Sequence, residues 1–264
     1  MAITKTLYKE FLDLPIYAWY HLHDRDKYDW IQSDTYGSLD DPSEDDLSDL
    51  WDDTEKFFLQ RYNPAEISDI SQYPFEEQIN ATKKATKERA PVIYQWKLST
   101  GDVYTIFDVL EYVPASDSYR HIEIKSKSSI RNKNNVGVYT TLKTDIKEDI
   151  SFSSYILNKN NIPVQENCIA FLNKDYYLKG KLDIDKLFVI ESINDALISP
   201  SEIEITIWQI SDLVGMNFEQ AKEKYPYVGS KYKRYFAEKP PKGTIEILSS
   251  LTWDRYSKVR EAGM

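Results

Sequence analysis

The chain has 264 residues, with 43 acidic and 33 basic side chains, a formal charge of −10, 41% hydrophobic and 14% aromatic content. That composition supplies a core and excludes wholesale disorder, while 8 glycines and 11 prolines exclude a collagen-like or linker-like chain. No apolar run approaches the ~20 residues that span a bilayer, MAITKTLYKEFLDLPIY lacks the apolar stretch of a secretory signal, and the single cysteine, Cys168, fits a reducing cytoplasm. Residues 4–23 place Leu7, Phe11, Leu14 and Tyr17 at helical spacing, with Pro15 as a break. Residues 43–61 predict a second helix, capped by Ser43 and carrying Leu47, Leu50, Trp51, Phe57 and Phe58 on its apolar face. A polar third helix is expected over 74–89, ending before Pro91. The period then changes to two: Pro91–Leu98, Asp102–Tyr112 and Tyr119–Lys127 alternate in polarity and are rich in Val, Ile, Tyr and Phe. Lys143–Lys159 reads as a helix, Asn167–Leu172 as a buried strand and Asp183–Val189 as a short element. Helices over Ser201–Val214 and Thr252–Glu261 close the chain, the last followed by Gly263. This order predicts an α/β fold: an acidic helical part over 1–90, an α/β core over 91–200 and a helical part over 201–264, together one domain.

The charge is not evenly spread. Residues 1–60 hold 15 acidic and 5 basic side chains, so 61–264 hold 28 of each. The excess lies in Asp40, Asp41, Glu44, Asp45, Asp46, Asp49, Asp52 and Asp53, without the D-x-D-x-D-G spacing of a calcium loop. A solvated loop running into a helix N-terminus accounts for it.

The hairpin VYTIFDVLEY…YRHIEIKSK carries the chemistry. Centred between Ala115 and Ser116, it sets Phe107 against Ile124 and Val109 against Ile122 on one face. On the other face Asp108 falls opposite Glu123, with Lys125 two residues further along. Two opposed carboxylates repel one another unless a cation sits between them, and oxygen ligands suit Mg²⁺ or Mn²⁺. Lys125 beside such a pair can orient or help deprotonate a metal-bound water and steady charge on a phosphate. A solvated hairpin face with a cross-strand ion pair explains the same residues without catalysis.

These residues resemble the PD-(D/E)XK nuclease superfamily, and within it the RecB-like branch that includes CRISPR-associated exonucleases. Nearly the whole chain takes part, through LDLPIYAWYHLH, RAPVIYQWKL, VYTIFDVLEY, HIEIKSKSS, CIAFLNKDYYLKGKLDIDKLFVI, PYVGSKYKRYFAEKPP and LTWDRYSKVREAGM, which are similar to successive segments of a poorly characterised bacterial family. The resemblance implies a restriction-endonuclease-like mixed central sheet flanked by helices. It also implies Asp108 and Glu123 as ligands of Mg²⁺ or Mn²⁺, Lys125 as the catalytic lysine and Tyr155 as a conserved tyrosine on the following helix. Lys143 matches a family lysine at the start of that helix, and Glu55 is the candidate early-helix acid. The chain departs from the pattern in three places. Ser153 stands where the family has glutamine, SIRNKNNVGVY is an insertion, and Leu14 replaces the first of four cluster cysteines. With one cysteine in the chain, no iron–sulfur cluster is expected. Family members commonly continue into a second domain, so a protein partner or a missing C-terminal domain is part of the expectation.

Basic residues form two groups. Lys125, Lys127, Arg131, Lys133, Lys143 and Lys147 surround the E-x-K, and Lys222, Lys224, Lys231, Lys233 and Arg234 alternate with Tyr225, Tyr227, Tyr232 and Tyr235. Cations interleaved with aromatics hold single strands without reading sequence, and a tyrosine-rich fold edge with solvated lysines gives the same pattern. Lys127, Arg131, Lys143, Lys231 and Lys233 are the candidate nucleic-acid contacts. His21 and His23 decorate a helix end, His121 shares the face of Glu123 and either touches a phosphate or, on the plainer reading, has a structural role, and Cys168 reads as a small core residue. The expected activity is cleavage of DNA at duplex ends or in single strands. The alternative is a degenerate nuclease-fold module that binds nucleic acid or a protein without cleaving.

Overall fold

In the computed structural model, which describes residues 2–36, 54–133 and 139–226, the strands in chain order are β1 (Ile67–Asp69), β2 (Val92–Thr100), β3 (Val103–Val113), β4 (Ser118–Lys125), β5 (Arg131–Lys133), β6 (Tyr139–Leu142), β7 (Val164–Leu172) and β8 (Phe188–Ser192). The helices are α1 (Lys5–Asp13), α2 (Pro15–His23), α3 (Arg25–Tyr36), α4 (54–59), α5 (Gln78–Lys87), α6 (Thr144–Lys159), α7 (Ile184–Leu187), α8 (Pro200–Val214) and α9 (Phe218–Lys224). The described residues fall into two compact units, one from 54–200 with Ala2 and one from 3–36 with 201–226.

The larger unit is a layered α/β structure around a six-stranded sheet of order β1-β2-β3-β4-β7-β8. β1–β2 and β4–β7 are parallel, and the other neighbours are antiparallel. This is the α/β layering that the order of elements predicts, with a mixed sheet flanked by helices. β5 and β6 pair as a separate two-stranded ribbon. Strand alternation divides the core between the two faces of the sheet. Val109, Ile122, Ile124, Cys168 and Ala170 join Phe58 of α4 and Phe188 on one face. Ile169 meets Ile146 and Ile150 of α6 on the other. α6 has Asp145 in its first turn and Lys159 in its last, matching the helix dipole, and it links β4 to its parallel neighbour β7.

The turn between β3 and β4 lies where the symmetry of the hairpin puts it. Val109 pairs with Ile122 and Val113 with Ser118; Pro114–Ser116 forms a 3₁₀ turn and Asp117 takes a left-handed φ of 48°. The expected Phe107–Ile124 pair does not form. The β3–β4 ladder ends at Val109–Ile122, and Phe107 instead stacks on Trp96 at 4.0 Å and meets the His121 ring edge-on at 5.5 Å.

In the smaller unit, Thr4 caps α1 by accepting from the Leu7 N–H, and Pro15 opens α2 after the extended Leu14. Tyr17 stacks on Tyr28 of α3 at 4.8 Å, Trp19 Nε1 donates to the Met216 carbonyl, and Asn217 with Gln220 forms a capping box for α9. Tyr225, expected among the stacking aromatics, is buried against Phe11 and so is withdrawn from any such role. The acidic run from Asp40 to Asp53, most of the 43–61 helix, Lys231, Lys233 and the 252–261 helix lie outside the described residues.

Candidate functional site

Asp108, Glu123 and Lys125 come together where β3 and β4 part. Beyond the last ladder pair the Asp108 side chain takes over from main chain: its Oδ2 accepts the Ile124 N–H at 2.7 Å. This bond keeps a carboxylate at the mouth of the split while satisfying an amide that the missing ladder would orphan. Glu123 is 1% exposed, since its alternation with Ile122 and Ile124 turns it toward α6.

A buried carboxylate requires compensation. Ser153 Oγ donates to Glu123 Oε1 at 3.3 Å, Lys125 Nζ stands 3.5 Å from Oε2, and His121 Nε2 stands 3.6 Å from Oε1. Lys125 Nζ also donates to Asp149 Oδ2 at 2.7 Å. Burial alone would push the lysine pKa down. The carboxylates of Glu123, Asp149 and Asp108 outweigh it and hold the ammonium well above the ordinary lysine value. A charged Lys125 can donate hydrogen bonds and stabilise negative charge.

Asp149 and Ser153 are i, i+4 neighbours on the buried stripe of α6. Ser153 meets Glu123 from α6. Asp149 went unrecognised in the sequence; an acid spaced with buried Ile146, Ile150 and Ser153 was the available signal. Tyr155 lies on the same helix, buried, with Lys159 Nζ 5.5 Å from its ring centroid.

β2 completes the surroundings from the other side of β3. Tyr94 pairs with Val109 and Trp96 with Phe107, which brackets Asp108 with Gln95 between them. Gln95 has a φ of 48°, a left-handed residue within a strand, of the strained kind that costs about 1–3 kcal/mol. Its amide donates to Glu55 Oε2 at 2.7 Å, and Tyr94 Oη donates to the same oxygen at 2.6 Å. Burial and the Glu55 carboxylate drive the Tyr94 pKa far up, and Asp108 adds to the effect. Glu55 is thus tied to β2 beside Asp108.

The described basic candidates are engaged within the fold. Lys127 pairs with Asp145 at 3.1 Å, Arg131 with Glu191, and Lys143 Nζ donates to the Ser129 carbonyl at 2.9 Å. In the second basic group, Lys224 pairs with Asp212. Among the described residues no three His, Cys, Asp or Glu side chains converge as a metal cage. Asp108 and Glu123 are a two-carboxylate set, which fits an ion such as Mg²⁺ that keeps several of its waters.

No family model matches the chain, and no curated protein or solved structure matches it either.

Proposed function

We propose that this chain is a metal-dependent deoxyribonuclease that hydrolyses phosphodiester bonds at DNA ends or in single strands. The observation that carries the reading is the meeting of Asp108, Glu123 and Lys125 at the split between β3 and β4. Asp108 and Glu123 would hold Mg²⁺ or Mn²⁺. The ion would supply Lewis acidity that lowers the pKa of a water and offsets phosphate charge. Lys125 would donate to the phosphoryl oxygen on which charge grows, while Asp149 and Glu123 keep its ammonium aimed and protonated. Cys168, buried and with its thiol pushed up to about 12 by burial, is inert core, and the cytoplasm is the compartment proposed. Among the described residues, no helix is long and apolar enough to cross a membrane.

The second reading is a nuclease-fold module that binds nucleic acid or a protein partner without cleaving. What favours it is that no three-ligand metal group is found among the described residues, with Lys125 already bridging Glu123 and Asp149. The deciding experiment incubates end-labelled single- and double-stranded DNA with Mn²⁺ and the wild type or Glu123→Ala. The nuclease reading expects products from the wild type and a loss of at least 100-fold in the variant. Equal products from both, or none from either, leave the binding module standing.

A further inference from the structure

The loop over residues 173–183 leaves β7 at the end of the sheet where Lys125 stands. β4 and β7 are parallel, Lys125 pairs with Phe171, and the Leu172 N–H donates to the Lys127 carbonyl at 3.1 Å. Asn173 is therefore about 7 Å along β7 from the partner of Lys125. Loops at the carboxyl ends of parallel strands are where α/β sheets meet their ligands. The foot of this loop is fixed. The Asn173 N–H donates to the Leu187 carbonyl at 2.8 Å, Asn173 Nδ2 to the Lys186 carbonyl at 3.0 Å, and the Asp183 N–H to Tyr176 Oη at 3.0 Å. Acids at the foot are engaged as well, Asp183 with Lys186 at 2.7 Å and Asp185 with Arg61 at 3.4 Å. The tip is different. Tyr177 is 76% exposed and Leu178 63%. Lys179 and Lys181 flank Gly180, whose φ of 80° suits glycine alone. Both lysines are exposed, and neither pairs with an acid among the described residues. Between Lys174 and Lys181 stand three lysines and a single acid, Asp175.

We propose that this loop docks single-stranded DNA: Tyr177 stacks on an unpaired base, Leu178 packs against the same base, and Lys179 and Lys181 meet the adjoining phosphates. The proposal rests on the reading of Asp108, Glu123 and Lys125 as a nuclease centre, and it narrows the substrate to strands with splayed bases. A tyrosine and a leucine left in water contribute nothing to the fold. The same ring on a fixed foot, beside cations with no acid to give up, is suited to base stacking and backbone neutralisation. Stacking needs the open face of a base, which the interior of a duplex does not offer, so the loop favours single strands and frayed ends. Charge decides between occupants. An apolar protein patch would match Tyr177 and Leu178 and leave the lysines without partners, whereas a single strand matches all four side chains.

The test is fluorescence anisotropy of a labelled single-stranded oligonucleotide and of a blunt duplex in EDTA, so that binding is read without cleavage. The full chain is compared with Tyr177→Ala, Tyr177→Phe, and Lys179→Ala combined with Lys181→Ala. All these side chains are exposed, and unchanged urea midpoints verify that the variants fold. Tyr177→Ala should weaken the single strand by at least about fivefold and the duplex by less than about twofold, with the salt slope unmoved. Tyr177→Phe keeps the ring and should retain nearly all the affinity. The lysine pair should flatten the single-strand slope by about 1.4. Single-strand affinity unchanged in Tyr177→Ala overturns the proposal and gives the loop tip to a protein partner. An equal loss on single strand and duplex overturns base stacking, and so does a wild type that binds no single strand. Cleavage by the wild type in Mn²⁺ reports separately on the centre. If cleavage persists, any of these failures removes the loop alone; if it is absent, the nuclease reading falls as well.

Discussion

Lys125 is held between two carboxylates with different duties. Glu123 is the one proposed to hold the metal, so a second acid must keep the ammonium in place when that carboxylate is otherwise engaged, and Asp149 at 2.7 Å does this. Asp149→Asn keeps the shape and removes the charge. Because the group is buried, the loss of its charge-assisted bond is expected to cost about 1–3 kcal/mol of unfolding free energy, read from urea denaturation. An unchanged midpoint with an unchanged slope would show that Asp149 does not support the lysine. The raised pKa of Lys125 carries a second consequence, and its sign is fixed by linkage. The folded state keeps the proton when the unfolded chain loses it near pH ~10.4, so the stabilisation is complete below that pH and drains away above it. Compared with Lys125→Met, the wild type should lose stability faster between roughly pH 10.4 and 11.5. Parallel curves across that window would mean that the amine has an ordinary pKa.

At the scale of elements, what the sequence discloses depends on how many residues repeat a pattern. β2, β3 and β4 run 9, 11 and 8 residues and alternate throughout, so their existence, their turn and the register of Val109 on Ile122 were legible. The break was not. Asp108 replacing main chain at Ile124, and Gln95 turning left-handed across from it, are decided by tertiary bonds to Ile124 and Glu55. A strict period of two continued across them led to the wrong partner for Phe107. β1 has 3 residues, too few to show a period, and among the described side chains of the polar helix α3 the buried apolar anchors are Tyr28 and Ile31. α9 is similarly polar, yet its Asn217–Gln220 capping box was a local signal available to be read. The candidate site divides the same way. Asp108, Glu123 and Lys125 lie on one hairpin and were within reach. The hydrogen bonds that run from Asn194 through Asn167 to His121, beside Glu123, join residues 27 and 46 apart in sequence, a distance that no periodicity spans.

For the whole molecule, the distribution of charge limits how nucleic acid can bind. The net −10 resides in residues 1–60, and the remainder is neutral, so any attraction to phosphate must come from local excess. Around the E-x-K strand that excess is largely consumed: Lys127 faces Asp145 and Arg131 faces Glu191. A lysine already paired with an acid releases few counterions when it meets a phosphate, since it must first give up its partner. Lys231 and Lys233 stand in the stretch GSKYKRYF, which holds Lys231, Lys233 and Arg234 with no acidic residue. The two groups should therefore differ in salt dependence. For binding to duplex DNA, each phosphate contact contributes about −0.9 to the slope of log affinity against log salt. Lys231→Ala with Lys233→Ala should flatten that slope by about 1.8, and Lys127→Ala should change it by less than about 0.5. The measurement is fluorescence anisotropy with labelled DNA between roughly 50 and 200 mM salt, in the range where the slope is linear. A larger change from Lys127 than from the pair would place the nucleic acid at the start of α6 and would mean that binding breaks the Asp145 ion pair. An unchanged slope in both variants would remove both groups from the interface and direct attention to a protein partner.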